Sequence, residues 1–324
     1  MAGMTTSSGS VQAARRLLLV HAHPDDETIN TGATMARYTA EGAQVTLVTC
    51  TRGERGEVIP ERLSHLTESK DVTGAALGDH RVGELAAAMT ALGVTDHRFL
   101  GDPHSPGRTA AKVTAAGGVL FRDSGMDYDQ DGAVVPSPDS PPGAFALANV
   151  DTAAGFLAEL IRQVRPQVVI SYEPGGGYGH PDHVQAHVIT MRAVELAAET
   201  GWLVPKVYWI VMPQSLARAT LGALAAAEGE SYQGPAPAGR LPSMVVPDDQ
   251  VTTAIDAIAF TADKVAALRA HETQVSVTTA GTFYSLSNGV RSPIIGLEFY
   301  RLVRGDPAGG RDDLGRETDL FAGL

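Results

Sequence analysis

The chain has 324 residues, 44% of them hydrophobic, and a formal charge of −12, which allows one large α/β domain or a domain with a substantial appendage. The acidic balance argues against nucleic acid or anionic membrane as a partner, since both require clustered lysine and arginine, and favours a small neutral or cationic ligand. Cys50 is the only cysteine, which excludes an intrachain disulfide framework and a thiolate zinc site and points to the reducing cytoplasm.

Residues 1–14 are small and polar and read as a disordered tail, and the apolar run after Arg16 is interrupted by His21, too early for a signal peptide or a membrane span. The elements then alternate. A strand over Leu17–His23 is followed by a helix over Glu27–Glu41 that Gly42 ends, and by a strand over Gln44–Thr49. A second helix is expected over Gly83–Leu92 and a short strand around Arg98–Leu100. From Asp102 to Phe145 six prolines and six glycines break the pattern, as in a long irregular excursion. Asp151 is expected to cap a helix whose Phe156, Leu157, Leu160, Ile161 and Val164 recur with helical spacing, stopped by Pro166 ahead of a strand at Val168–Tyr172. A helix over Asp182–Thr200, a strand over Lys206–Met212 and a helix over Ser215–Glu228 come next. Residues 229–246 read as a loop, Val251–Ile258 as a strand, and Thr261–His271 and Ile295–Val303 as helices.

Two densely ionisable segments stand directly after apolar strands: His21-Ala22-His23-Pro24-Asp25-Asp26-Glu27 and Gly177-Tyr178-Gly179-His180-Pro181-Asp182-His183. Strands of a parallel sheet deliver such segments to one edge, where open α/β folds place their ligand crevice. Two imidazoles and one carboxylate, with positions left for water and substrate, meet the demand of a catalytic divalent cation, and His23, Asp26 and His183 form a chemically sufficient set. His21, two residues before His23 on the strand, and His187, four residues after His183 on a helical face, are rival ligands that spacing alone does not dismiss. Cys50 reads as a buried strand residue rather than a nucleophile.

Ala22-His23-Pro24-Asp25-Asp26-Glu27 and Gly179-His180-Pro181-Asp182-His183 resemble the paired signature of the LmbE and PIG-L superfamily of metal-dependent N-acetylglucosaminide deacetylases. The resemblance extends through Gly53-Glu54-Arg55-Gly56-Glu57, His80–Leu85, Arg122–Met126, His271-Glu272-Thr273-Gln274 and Glu317–Leu320, and so spans nearly the whole chain. It is strongest to the mycothiol-pathway branch, which implies removal of acetate from N-acetylglucosaminyl-inositol, with the mycothiol S-conjugate amidase or a deacetylase of another acylated amino sugar as the alternatives. Carried over by position, the resemblance makes His23, Asp26 and His183 the ligands of Zn2+, with Fe2+ as the second candidate, and Asp25 the general base. His180 becomes the imidazolium that protonates the amine, Tyr178 a stabiliser of the oxyanion, and Asp182 a carboxylate that orients a histidine. Arg81, Asp123, Met126, Glu57 and Asn288 match positions expected to line the sugar and inositol pocket.

Two readings of other classes compete, a non-haem Fe(II) oxygenase and a metal-containing carbohydrate-binding module. The α/β alternation argues against the first, and an acid kept beside an open metal position argues against the second. The expected architecture is a doubly wound, mostly parallel Rossmann-like sheet over 15–213, with a smaller mixed α/β portion, 214–324, closing over the crevice.

Overall fold

The structure, a computed structural model, describes residues 14–68, 74–102, 119–130, 134–232 and 234–324. Nearly all of the expected tail and much of the 102–145 excursion lie outside these. Seven strands build the central sheet: β1 (Arg16–His21), β2 (Gln44–Thr49), β3 (Asp96–Phe99), β4 (Val168–Tyr172), β5 (Lys206–Ile210), β6 (Thr253–Asp256) and β7 (Leu297–Arg304). Their order is β6-β7-β5-β4-β1-β2-β3. The five strands from β3 to β5 are parallel, whereas β7 runs antiparallel to β5 and β6 antiparallel to β7.

Helices cover both faces, as a parallel sheet requires, and this is why its strands read as continuous apolar runs rather than alternating ones. On one face Leu17, Leu19, Leu47 and Ile170 pack with Met35 and Tyr38 of α1 (Asp26–Ala40) and Leu85 and Met89 of α2 (Ala75–Ala91). On the other, Leu18, Val20 and Val169 pack with Leu157 and Ile161 of α3 (Val150–Val164) and Ala186 and Ile189 of α4 (Pro181–Glu199). β1 and β4 are neighbours, but the chain leaves β1 toward β2 and β3 and leaves β4 toward β5. Their carboxyl ends therefore flank the point where the strand order reverses, the place where doubly wound sheets open a crevice. Both ionisable segments emerge there.

The chain beyond residue 214 contributes α5 (Gln214–Glu228), α6 (Thr261–Ala270), a small sheet of Ser276–Val277, Phe283–Ser285 and Arg291–Pro293, and also β6 and β7 of the central sheet. The helix expected over Ile295–Val303 is thus strand β7. Tyr300 pairs with Ile210 and Arg301 with Trp209, while the inward Glu298 accepts from the N–H groups of Ala33 and Thr34 and bonds Lys264 Nζ at 2.7 Å. These long-range partners outweigh a local helical preference.

Two further corrections are local. α2 begins at Ala75, eight residues before the expected start. The cap of α3 is Asn149, whose Oδ1 accepts from Thr152 N at 3.0 Å, and Asp151 lies in the first turn, bonded to Arg192. Among the described residues no helix is long and apolar enough to cross a membrane.

Candidate metal centre

The chain turns sharply between β1 and α1, and the turn is held at Asp25, a non-glycine residue with φ 118°. Such a backbone conformation costs on the order of 1–3 kcal/mol and persists only where its surroundings enforce it. Here Asp25 N donates to Glu27 Oε2 at 2.9 Å, Asp25 O accepts from Ile29 N at 2.9 Å, and Arg81 Nη2 donates to Pro24 O and lies 3.3 Å from Asp25 Oδ2. After β4, Glu173 accepts from Gly175 N and Gly177 N and curls the chain into the short helix Gly176–Gly179. Gly176 has φ +65°, and a Cβ there would stand 2.7 Å from Val184 N, so only glycine fits. His180 then caps α4, its Nδ1 accepting from Asp182 N at 3.1 Å, with Pro181 at the first helical position.

These two turns bring His23, Asp26 and His183 together. His23 Nδ1 lies 3.2 Å from Asp26 Oδ2, His183 Nε2 lies 3.2 Å from the same oxygen, and the two nitrogens are 3.3 Å apart. A point equidistant from donors spaced in this way lies no closer than about 1.9 Å to each and, a little off their plane, reaches the roughly 2.0–2.2 Å of zinc–nitrogen and zinc–oxygen bonds.

The outer hydrogen bonds support the same fit. His23 Nε2 faces Asp182 Oδ2 at 3.2 Å, which holds the proton on Nε2 and leaves the Nδ1 lone pair inward. His183 Nδ1 faces the Gly176 carbonyl at 3.1 Å, which leaves Nε2 inward. Ligating imidazoles are commonly fixed in this way, by a carboxylate or a carbonyl on the far nitrogen. Asp182 is itself held by Ser124, through its N–H at 2.9 Å and its hydroxyl, and Tyr172 stacks on His183 with ring centroids 4.4 Å apart.

Burial and neighbouring charges act differently on each group of the pocket. Burial alone would lower the His23 pKa, yet Asp123, Asp182 and Asp26 drive it well above its ordinary value. Burial would raise Asp26, but His183 and His23 carry it well below the usual carboxylate range. Asp25 is pushed up to about 6, chiefly by desolvation, with Arg81 opposing. His180 is pushed down to about 2 by desolvation and by the neighbouring His23 and His183. These surroundings disfavour the imidazolium expected from the sequence while no substrate charge faces it. Because Nδ1 accepts from Asp182 N, the ring proton sits on Nε2.

The rival ligands point elsewhere. His21 Nε2 bonds Thr31 Oγ1 at 3.1 Å, and His187 Nδ1 bonds the Tyr172 carbonyl at 2.9 Å. His180 stacks on His183 at 4.9 Å, and Tyr178, 46% exposed, stands edge-on to His183 at 5.1 Å on the rim.

The expected sugar-binding residues are scattered. Arg81 is 2% exposed and is spent on Gly53 O, Pro24 O and Asp25. Asp123 is buried 3.7 Å from His23 Nε2, its oxygens accepting from Gly125 N and Arg55 N. Met126 is exposed at the start of the ribbon formed by Met126–Tyr128 and Val134–Pro136. Glu57 and Asn288 lie on the surface, and Asn288 Oδ1 accepts from Val290 N. Sequence reasoning gave no role to Ser124 or Glu27, although both lie inside quoted motifs.

Comparison with known proteins agrees with this geometry. The family described as PIG-L, GlcNAc-PI de-N-acetylase, matches residues 18–194. A protein of Kineococcus radiotolerans named 1D-myo-inositol 2-acetamido-2-deoxy-alpha-D-glucopyranoside deacetylase is 50% identical over 96% of this chain and 83% of its own length. One of the same name from Streptomyces avermitilis is 50% identical over 96% of this chain and 97% of its own. Among solved structures, N,N'-diacetylchitobiose deacetylase from Pyrococcus horikoshii superposes with a TM-score of 0.50 at 17% identity, covering 90% of this chain and 85% of that one. The 4-carboxy-2-hydroxymuconate hydratase GalB of Pseudomonas putida does so with a TM-score of 0.52 at 18% identity, covering 92% and 100%. A deacetylase and a hydratase thus share the fold, and the fold alone leaves the reaction open. Family and residues together close that gap: the chain belongs to the PIG-L family and is a hydrolytic N-deacetylase.

Proposed function

We propose that the protein removes the N-acetyl group from N-acetylglucosaminyl-inositol, with Zn2+ held by His23, Asp26 and His183. The observation that carries this reading is the triangle of one carboxylate oxygen and two ring nitrogens from these three residues beside the Asp25 carboxylate, in a chain half identical to deacetylases named for that substrate. A cation bound there supplies Lewis acidity, polarising the acetyl carbonyl and acidifying water.

The chain's own groups do the rest. Amide hydrolysis moves a proton from water to the departing nitrogen, because an amine is too basic to leave as an anion. Asp25 accepts the proton from the attacking water. His180 carries a proton to the amine through Nε2, the nitrogen that bears the ring proton when Asp182 N occupies Nδ1. The ring takes up that proton from solvent only as negative charge builds on the tetrahedral centre, which offsets the burial that disfavours the cation, and Asp25 returns its own proton to solvent once the amine has left. Tyr178, on the rim, offers its hydroxyl to the developing oxyanion. Asp182 holds His23 in the ligating tautomer. Arg81 and Asp123 support the base and the site wall, and Met126, Glu57 and Asn288 are the outer residues that a sugar-inositol would meet.

The test is amine release from N-acetylglucosaminyl-inositol and from a mycothiol S-conjugate by enzyme of defined metal content. Turnover of the first, abolished by chelation and restored by zinc, is the expected result. Preference for the conjugate, or turnover that persists without metal, would overturn the assignment.

A further inference from the structure

We propose that Glu27 and His271 are positioning residues for Asp25, and that they free its carboxylate for proton transfer by satisfying its backbone. An Asp at the cap of a helix ordinarily spends its side chain on the orphan N–H groups of the first turn. Asp25 occupies the cap of α1 and makes no such bond. Glu27 instead reaches back from the first turn, and its Oε2 accepts from Asp25 N at 2.9 Å, the reciprocal half of a capping arrangement. With the backbone N–H occupied and φ fixed at 118°, the Asp25 carboxylate turns away from the helix toward Arg81, whose Nη2 lies 3.3 Å from Oδ2.

Glu27 cannot hold that position unaided, because it is 0% exposed and an unpaired buried carboxylate is costly. His271 Nε2 at 2.9 Å and the Thr28 hydroxyl supply the partners to its Oε1. His271 is also 0% exposed, and it follows α6, more than two hundred residues further along the chain. The strained base is therefore held through Glu27 by the C-terminal part of the chain, and the pair does more than fill the core.

The inference rests on the reading of Asp25 as the base, and the experiment separates the two. Zinc-loaded enzyme is assayed for amine release from N-acetylglucosaminyl-inositol as the parent, Glu27→Gln, His271→Ala and His271→Gln, with Glu27→Gln repeated in an Asp25→Ala background. Glu27→Gln and His271→Ala are expected to lower kcat by about tenfold or more, with KM and zinc affinity within roughly twofold, as small displacements of a reacting group do. His271→Gln, which keeps an N–H donor, should recover most of the loss. In the Asp25→Ala background Glu27→Gln should change the residual rate less than about twofold, because a residue acting only through Asp25 has nothing left to position.

Unchanged kcat in Glu27→Gln or His271→Ala, a penalty that persists without Asp25, or a loss that follows zinc content would overturn the proposal. If Glu27→Gln does not fold, the His271 pair decides it. A parent with no turnover, or an Asp25→Ala variant as fast as the parent, would strike the functional reading and this inference with it.

Discussion

Asp182 Oδ2 stands 3.2 Å from His23 Nε2, and Asp182 also receives the N–H and hydroxyl of Ser124, so this carboxylate fixes which nitrogen of His23 is left to face Asp26 and His183. Asp182→Ala is expected to weaken zinc binding by about 10–100-fold, the usual cost of losing such a partner. A competition titration against a chromophoric chelator measures it, and an unchanged dissociation constant would remove Asp182 from that role.

On the proposed mechanism, Asp25 is the residue on which turnover depends most directly. Asp25→Ala should lower kcat by about 10²–10⁴-fold, the range of general base catalysis, while one zinc per chain is retained. Metal analysis beside steady-state kinetics separates loss of the base from loss of the ion. Equal turnover in the variant refutes the assignment.

His187 is the counter-example among the histidines. Its Nδ1 bonds the Tyr172 carbonyl and its ring meets the edge of Trp209 at 5.2 Å. His187→Asn should keep full zinc stoichiometry, whereas His183→Asn should lose the metal, and mass spectrometry under native conditions distinguishes them. Zinc loss from the His187 variant would mean that the ligand triangle is drawn wrongly.

The His271–Glu27 pair sets a pH window for stability. Burial opposes both charges, but each partner overrides it: Glu27 raises His271 above its ordinary 6.5, and His271 lowers Glu27 below its ordinary 4.5. The His271 contribution is fully present below pH 6.5 and is lost as pH rises through its folded value. The Glu27 contribution is present above pH 4.5 and is lost as pH falls through its folded value. The Tm difference between the parent and His271→Asn should therefore be largest between about pH 4.5 and 6.5 and shrink on both sides. A difference that is flat from pH 4 to 9 would contradict the ion pair.

The strands that hold the site were legible because they are buried on both faces: Leu17–Val20 and Val168–Ile170 admit no polar residue, and Ser171 and Tyr172 come only at the crevice end. The adjacency of β1 and β4 follows from crossover topology, so the two ionisable segments could be expected to meet. What the sequence could not convey depends on contacts made at a distance. β7 reads as a helix until its pairing with β5 and the burial of Glu298 against α1 and Lys264 are known. Arg81 reads as a surface cation suited to a sugar, and only the fold reveals that the turn at Pro24 and Gly53 closes over it. His21 and His187 are equivalent to the true triangle by spacing, and only the directions of their side chains exclude them.

The division of the triangle between the two ends of the parallel core also bears on biogenesis. His23 and Asp26 emerge early from the ribosome, but His183, 160 positions after His23, joins them only after β4 has inserted beside β1. A nascent amino-terminal fragment thus lacks the third ligand and offers at most a weak grip on metal. On the proposed ligand set, ion capture is then a late event that reports a correctly closed sheet.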